Sequence, residues 1–220
     1  MGCSRCRIGI AALAALACAL SACGVSVDES PRPLQLPTTS TTVSPTPPTG
    51  AFETVLYYVA EGDLLPVVRD LPDRTLETIL AALLDPPSGT PPGLGTSIPS
   101  GTTLLGLQRD RKTIAVNLSE PFQNVVGQSR QQAIGQIVLT VTEHADIERV
   151  RFLIEGEPVS VSSPVRGDAE LVDACDFRSM LASVGEAVDR FEHIPTAALI
   201  QLIDRIDELE RECSPPLAPS

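Results

Sequence analysis

The composition of the chain changes at Ala51, and this change limits what can fold. Residues 24–50 contain six prolines and ten serines or threonines. Such a segment has too little apolar surface to offset the conformational entropy lost on folding, and its prolines favour an extended backbone. After residue 50, apolar residues alternate or recur at helical spacing over about 170 residues, enough for one domain with a core and an appendage. The sequence therefore predicts a folded part carried on an extended tether.

The residues before this tether have the features of a targeting signal. Arg5 and Arg7 precede a run of 16 residues, 8–23, that contains no charge. A helix that spans a bilayer needs roughly 20 apolar residues, whereas the apolar region of a secretory signal is shorter. The run therefore favours export over a membrane span.

The signal ends in "LSAC" at residues 20–23, which resembles the lipobox of bacterial lipoproteins. The resemblance implies cleavage before Cys23, a diacylglyceryl group on its sulfur and an acylated amino terminus such as palmitate. Several acyl chains would hold the protein on the extracytoplasmic face of the cell membrane. An ordinary secretory signal and an uncleaved anchor helix are the alternatives. The predicted division is a signal peptide at 1–22 and a lipidated, disordered tether at 23–50, which spans about 80 Å when extended.

The charge of the mature chain excludes one class of partner. Removal of residues 1–22 takes away two arginines and no acid, so the formal charge changes from −12 to −14. Nucleic acid would be repelled by such a chain. Fifteen arginines against one lysine are typical of bacteria with GC-rich genomes, such as actinobacteria.

Hydrophobic periodicity predicts an α/β fold for the first part of the folded region. An alternation of period two predicts strands, and apolar residues at i, i+3, i+4 and i+7 predict helices. The predicted strands are 52–60, 64–72, the two arms of a hairpin within 103–119, and 148–156; the predicted helices are 73–84 and 129–144. Asp73 is the predicted cap of the first helix, and Ser129 with Gln132 forms a predicted capping box for the second. We expect both helices to lie on one face of one sheet.

Several segments of this region, taken in their order, resemble the GerMN domain of sporulation and germination lipoproteins. They are "LLPVVRDLP", "LETILAALLDPP", "GLGTSIPSGTTLL", "IAVNLSEPF", "QAIGQIVLTVTEHADIERVRFLIEGEP" and "AELVDACDF". The resemblance covers about residues 54–178 and implies a small α/β sandwich, which we place at residues 51–176. It also implies a protein-interaction or assembly module without known catalysis. Asp85-Pro86 stands where the family usually has Gly-Pro, and His144-Ala145-Asp146 replaces an aromatic residue.

A helical hairpin is predicted for residues 177–213, with a disordered tail at 214–220. Two apolar stripes support it, and each helix would be about 16 residues long. The stripes are Met180, Leu181, Val184, Val188 and Phe191, then Leu199, Leu202, Ile203, Ile206 and Leu209.

The cysteines provide a test of this hairpin. Cys3, Cys6 and Cys18 leave with the signal and Cys23 is acylated, so Cys175 and Cys213 remain. An antiparallel hairpin brings these two together, and outside the membrane a disulfide is expected. Two free buried thiols are the alternative.

The sequence contains no credible active site, metal site or cofactor site. His144 and His193 have no metal-ligand spacing, and residues 127–131 lack the last glycine of a nucleophile elbow. A wall hydrolase would need paired carboxylates, for which the candidates near the long loop at 86–102 are Asp63, Asp70 and Asp85.

The favoured function is therefore a non-catalytic envelope lipoprotein that binds another protein, with a carrier of glycan or lipid as the alternative. The predicted contact surface joins two proline-rich segments, and packing of these residues on their own sheet is the equally weighted alternative. Its residues are Pro66, Arg69, Leu71, Leu94, Ile98 and Pro99.

Overall fold

The computed structural model describes residues 51–85, 93–144, 146–190 and 195–213. The predicted signal peptide, Cys23, the tether and the tail lie outside these residues. In chain order the elements are β1 (Phe52–Ala60), β2 (Asp63–Leu71), α1 (Leu76–Leu84), β3 (Leu94–Gly95), β4 (Leu104–Asp110), β5 (Thr113–Leu118), a 3-10 turn (Glu120–Asn124), α2 (Gly127–Thr142), β6 (Arg149–Ile154), β7 (Glu157–Val159), β8 (Val161–Ser163), β9 (Gly167–Ala169), α3 (Ala174–Phe177), a 3-10 turn (Arg178–Met180), α4 (Val184–Arg190) and α5 (Thr196–Glu212). Within the described ranges, no helix is both long enough and apolar enough to cross a membrane.

The first sheet is built on a hairpin of two nine-residue strands. β1 and β2 pair antiparallel from Phe52↔Leu71 to Ala60↔Asp63, and β3 pairs with the other side of β1. The two turn residues, Glu61 and Gly62, both have positive φ, which matches the twist of a tight hairpin. β2 therefore lies at an edge of the sheet, where its proline removes no ladder hydrogen bond.

The second sheet has the strand order β4-β5-β6-β7. β4 and β5 form the predicted hairpin, with Arg111 at positive φ in its turn. β5 and β6 are parallel, so the chain between them must cross over, and α2 lies in that crossover. The single predicted sheet is thus wrong: the structure has a three-stranded sheet, a four-stranded sheet and a separate β8-β9 pair.

The two helices pack against both larger sheets. α2 contacts β1, β2 and β6, and α1 contacts β1 and β4. Every residue of α2 from 132 to 141 is buried, which a one-sided apolar stripe does not predict. Gly135 permits the close approach, because a Cβ there would lie 2.8 Å from a methyl of Leu64 and 3.1 Å from the ring of Phe177.

Both helix starts differ from the predictions. Thr75, not Asp73, is the N-cap of α1, and Asp73 instead accepts hydrogen bonds from the backbone N–H and hydroxyl of Thr75. α2 begins at Gly127 and has no side-chain cap. The predicted capping box fails because Gln132 is buried and bonds elsewhere: it donates to the Gly62 carbonyl and accepts from the Ser97 hydroxyl.

The first predicted helix of the C-terminal hairpin is also wrong in its start and length. The chain makes the short helix α3, a 3-10 turn and an extended step before α4 begins at Val184. The extended step exists because Leu181 pairs with Leu64 of β2, and the Ala182 N–H donates to the Leu64 carbonyl at 3.0 Å. This pairing covers part of the β2 edge. α5 packs against α4, β2 and α3.

Candidate functional site

Three elements far apart in sequence meet at a buried ionic network. The Tyr57 hydroxyl on β1 donates to Glu143 Oε1, at the end of α2, over 2.5 Å. Arg205 on α5 places its Nε 3.2 Å from the same carboxylate oxygen. Tyr57 is fully buried, and Arg205 is 6% exposed. The network therefore joins β1, α2 and α5 through one carboxylate.

The guanidinium of Arg205 has two further partners. It donates to the Thr142 hydroxyl at 2.8 Å and to Glu208 Oε2 at 2.5 Å. Sequence reasoning missed this arginine, although Leu202, Arg205 and Leu209 share one helical face at i, i+3 and i+7. That spacing was the available signal.

Burial dominates the electrostatics of the network. Burial raises the pKa of Glu143, and the charge of Arg205 and the hydrogen bond from Tyr57 lower it without cancelling this effect. Burial, then the neighbouring Glu143, raises the pKa of Tyr57 well above its ordinary value. Both groups are held by fixed partners, so the arrangement fastens α5 to the body and offers no activated nucleophile.

A polar cleft of about 580 Å³ lies beside this network. Its walls carry more acids than bases: Glu143, Asp146, Glu148, Asp173, Glu208 and Glu212 against Lys112 and Arg205. His144 also lines it, with a buried Nε2 that has no hydrogen-bond partner among the residues that the structure describes. Burial, then the charge of Arg74, lowers the pKa of His144 and favours its neutral form. Within the described ranges, no group of three or more His, Cys, Asp or Glu side chains could hold a metal ion.

The predicted disulfide is present and closes the end of the same cleft. Cys175 of α3 is bonded to Cys213, the C-cap of α5, with the two Cα atoms 5.5 Å apart. The bond therefore fixes the last turn of α5, and Arg205 fixes the middle of the helix.

A second charged cluster holds α3 against the β8-β9 hairpin. Asp176, which is 3% exposed, accepts hydrogen bonds from Arg166 Nε at 2.6 Å and from the Ser163 hydroxyl at 2.9 Å. Burial alone would raise the pKa of Asp176, but hydrogen bonds from Arg166, the Asp173 backbone and Ser163 outweigh it and lower the pKa. The cluster is satisfied internally, which indicates a structural role.

The predicted contact surface does not exist as one exposed patch. Pro66 is buried, and Leu71 and Ile98 belong to the hydrophobic core at 8% and 5% exposure. Arg69, Leu94 and Pro99 are half-buried. The segments also flank opposite sides of β1, since β2 and β3 pair with different edges of it. The alternative, that these residues pack on their own sheet, describes the three buried residues.

The fold holds two of the three candidate carboxylates for hydrolysis far apart. Asp63 and Asp70 lie near opposite ends of β2. Seven residues of strand separate their Cα atoms by about 23 Å, far more than a carboxylate pair spans. Asp85 is the C-cap of α1.

Comparison with protein families assigns the first part of the fold. Residues 54–160 match the Germane family, described as sporulation and spore germination. This chain is a GerMN-domain protein. The match ends before β8, so Tyr57 and Glu143 lie within the matched residues, whereas Arg205 and both disulfide cysteines lie beyond them. The network therefore joins α5 to the part of the chain that matches the family.

Solved structures with a similar fold include GerMN domains. The tandem GerMN domains of the Bacillus subtilis sporulation protein GerM share 19% identity, with a TM-score of 0.47 over 57% of this chain and 47% of that one. This chain thus spans less than half of that protein's length. The first GerMN domain of GerM shares 22% identity, TM-score 0.43, over 56% of this chain and 95% of that one.

A provisionally named lipoprotein from Clostridium perfringens is also similar, with 19% identity and a TM-score of 0.41 over 62% of this chain and 97% of that one. No curated protein matches the sequence.

Proposed function

We propose that the protein is a lipid-anchored lipoprotein on the extracytoplasmic face of the cell membrane, where its GerMN domain is a non-catalytic interaction or assembly module of the cell envelope. The observation that carries the proposal is the "LSAC" motif at residues 20–23, which ends a 16-residue run without charge. The proline-rich tether that follows is long enough to hold the domain well above the bilayer. The Cys175–Cys213 disulfide is consistent with an oxidising compartment.

The proposal of a non-catalytic role rests on the partners and the positions of the acidic side chains. The Glu143 carboxylate already has Tyr57 and Arg205 as partners. The strand that carries Asp63 and Asp70 holds them too far apart to share a substrate bond. These observations support binding of another envelope component as the role of this acidic domain on its tether.

The lipid anchor is tested by labelling cells with an alkyne-bearing palmitate analogue. We expect label and membrane association in the full-length chain, and loss of both in Cys23→Ser. Cys175→Ser/Cys213→Ser is the matched control, because it removes both disulfide-bonded cysteines of the folded part, leaves no unpaired partner cysteine behind, and keeps the signal and Cys23 intact. Equal labelling or equal membrane association of Cys23→Ser would contradict the anchor.

The interaction role is tested by chemical crosslinking in intact cells, followed by recovery of the full-length protein through a C-terminal tag. We expect a reproducible envelope protein that is absent when another acylated lipoprotein is recovered in the same way. Recovery of glycan or lipid alone would instead support the carrier function, for which the polar cleft of about 580 Å³ would be the binding site.

A further inference from the structure

The outer face of α5 carries apolar and acidic residues next to one another. The inner face is buried through Ala198, Leu202, Arg205 and Leu209. On the outer face, Ile200 is 51% exposed and Ile203 is 38% exposed, one turn apart. Neighbouring large apolar side chains on the exposed face of a polar helix indicate a contact surface, whereas single exposed apolar residues are normal on protein surfaces.

Carboxylates and small clefts continue this surface toward the end of the helix. Asp204 and Asp207 are exposed and form no ion pair within the described residues. A cleft of about 350 Å³ is lined by four acids, Glu143, Asp204, Asp207 and Glu208, and by Arg205 and Arg211. A second cleft, of about 480 Å³, is lined by Asp207 and Glu210 and by Arg178 and Arg211. The first cleft, in which carboxylates outnumber guanidinium groups, is suited to the long side chains of lysine and arginine.

The helix that carries this surface is fixed to the body at two points. Arg205 holds its middle through Glu143, and the Cys175–Cys213 bond holds its end. A surface on a fixed helix loses little conformational entropy when a partner binds, so even a small contact area contributes to affinity.

We propose that the outer face of α5, defined by Ile200, Ile203, Asp204 and Asp207, docks a segment of an envelope protein that carries lysine or arginine beside apolar residues. The inference rests on the proposed interaction function and names the surface and the chemistry of the partner. Charge complementarity selects this occupant: a second copy would bring together two mature chains of formal charge −14, and an anionic membrane surface would repel the same carboxylates.

The size of the surface predicts a weak and salt-sensitive complex. α5 has 17 residues and is therefore about 25 Å long. One face of such a helix is smaller than a standard protein–protein interface, which places the contact among transient complexes. Exposed charge pairs are screened by salt, so the complex dissociates as ionic strength rises.

The test is site-specific photocrosslinking of the full-length, lipidated chain in membranes from its own host. The photoreactive amino acid p-benzoylphenylalanine replaces Ile203, and the crosslinked partner peptide is sequenced by mass spectrometry. We expect a peptide with lysine or arginine near the attachment point, and a yield that falls roughly fivefold between about 50 mM and about 500 mM NaCl. The charge reversal Asp204→Lys/Asp207→Lys lowers the yield roughly tenfold. The matched control Asp168→Lys/Glu170→Lys, which changes the net charge equally at two exposed residues in and directly after β9, leaves it unchanged.

The other outcomes overturn the proposal. A crosslink to a second copy, to lipid or to glycan excludes the proposed partner, and a yield insensitive to Asp204→Lys/Asp207→Lys excludes the charge complementarity. Photoreactive groups at Leu105 and Val165, both exposed, show whether only the α5 surface is wrong or the proposed interaction function is wrong as well. Protein crosslinks from these positions but not from Ile203 would refute the α5 surface and leave the interaction function standing. Absence of protein crosslinks at all three positions would refute both. An intact disulfide and an unchanged thermal midpoint in the variants exclude misfolding.

Discussion

Replacement of Arg205 by methionine should destabilise the protein far more than the loss of an exposed arginine from the same helix. The side chain is 6% exposed and pairs with Glu143, which is itself largely enclosed. Methionine keeps the apolar stem but removes the guanidinium, so the Glu143 carboxylate stays buried with the Tyr57 hydroxyl as its remaining described hydrogen-bond partner. The variant therefore tests whether the ionic network holds α5 in place.

The magnitude follows from the partners. Breaking a buried ion pair by removing one member costs about 3–5 kcal/mol. The Glu208 partner is 42% exposed, so its loss adds little, and the hydrogen bond to Thr142 contributes about 1 kcal/mol. Because Glu143 can take up a proton once its partner is gone, we expect the lower end, about 3 kcal/mol. For a folded region of this size, that lowers the thermal midpoint by about 6–12 °C.

The assay is urea unfolding at neutral pH, with Arg211→Met as the matched control. Arg211 lies on the exposed side of the same helix and donates only to the Asp207 carbonyl among its described hydrogen bonds. We expect that control to change the free energy of unfolding by less than about 0.5 kcal/mol. The double variant Arg205→Met/Glu143→Gln should cost at least about 1 kcal/mol less than the sum of its single changes, since it leaves no unpaired charge.

Two results would refute this reasoning. A cost below about 1 kcal/mol for Arg205→Met would mean that the ion pair adds nothing net to the stability of the fold. Strict additivity in the double-mutant cycle would mean that Arg205 and Glu143 act independently, whatever the distance between them.

Three further predictions concern the rest of the C-terminal half. The double change Cys175→Ser/Cys213→Ser should lower the free energy of unfolding by up to about 4 kcal/mol, because it opens a loop of 38 residues; urea unfolding of the wild type with reductant should match it, and an unchanged midpoint would contradict it. The folded-state pKa of Asp176 is lowered, so the stability that its charge contributes is present above about pH 4 and is lost as the pH falls through the folded pKa. The difference in free energy of unfolding between wild type and Asp176→Asn should therefore narrow between about pH 6 and about pH 3. A constant difference would mean that the charge of Asp176 does not contribute to stability. Gly135→Ala should lower stability by about 1 kcal/mol because the new methyl meets packed side chains, whereas Gly185→Ala, with open space around it in α4, should raise the thermal midpoint.

Local patterns predicted a large part of the fold. These patterns involve residues that are close together in the sequence, where the period of the side chains follows backbone geometry directly. Examples are the apolar spacing of α1, the alternation of β1, and the hairpin of β4 and β5. The disulfide followed from elimination among six cysteines, because the pairing had only two candidates left. The GerMN resemblance likewise came from the order of local segments and agrees with the family match at residues 54–160.

The tertiary structure decided the contacts between residues that are far apart in the sequence. Leu181 reads as part of a helical stripe, yet it is extended because an edge strand 117 positions earlier offers a free carbonyl. Tyr57 and Glu143 are 86 residues apart, and Arg205 reaches Thr142 across 63. Periodicity alone cannot identify such partners, because burying a charge is favourable only where the fold has already assembled its counter-charge. The sequence by itself predicted most of the strands and helices of residues 52–160 and the remaining cysteine pair, whereas its lipid anchor at Cys23 stays a prediction. The tertiary structure determined the two sheets, the burial of Arg205 and the face of α5 that stays exposed.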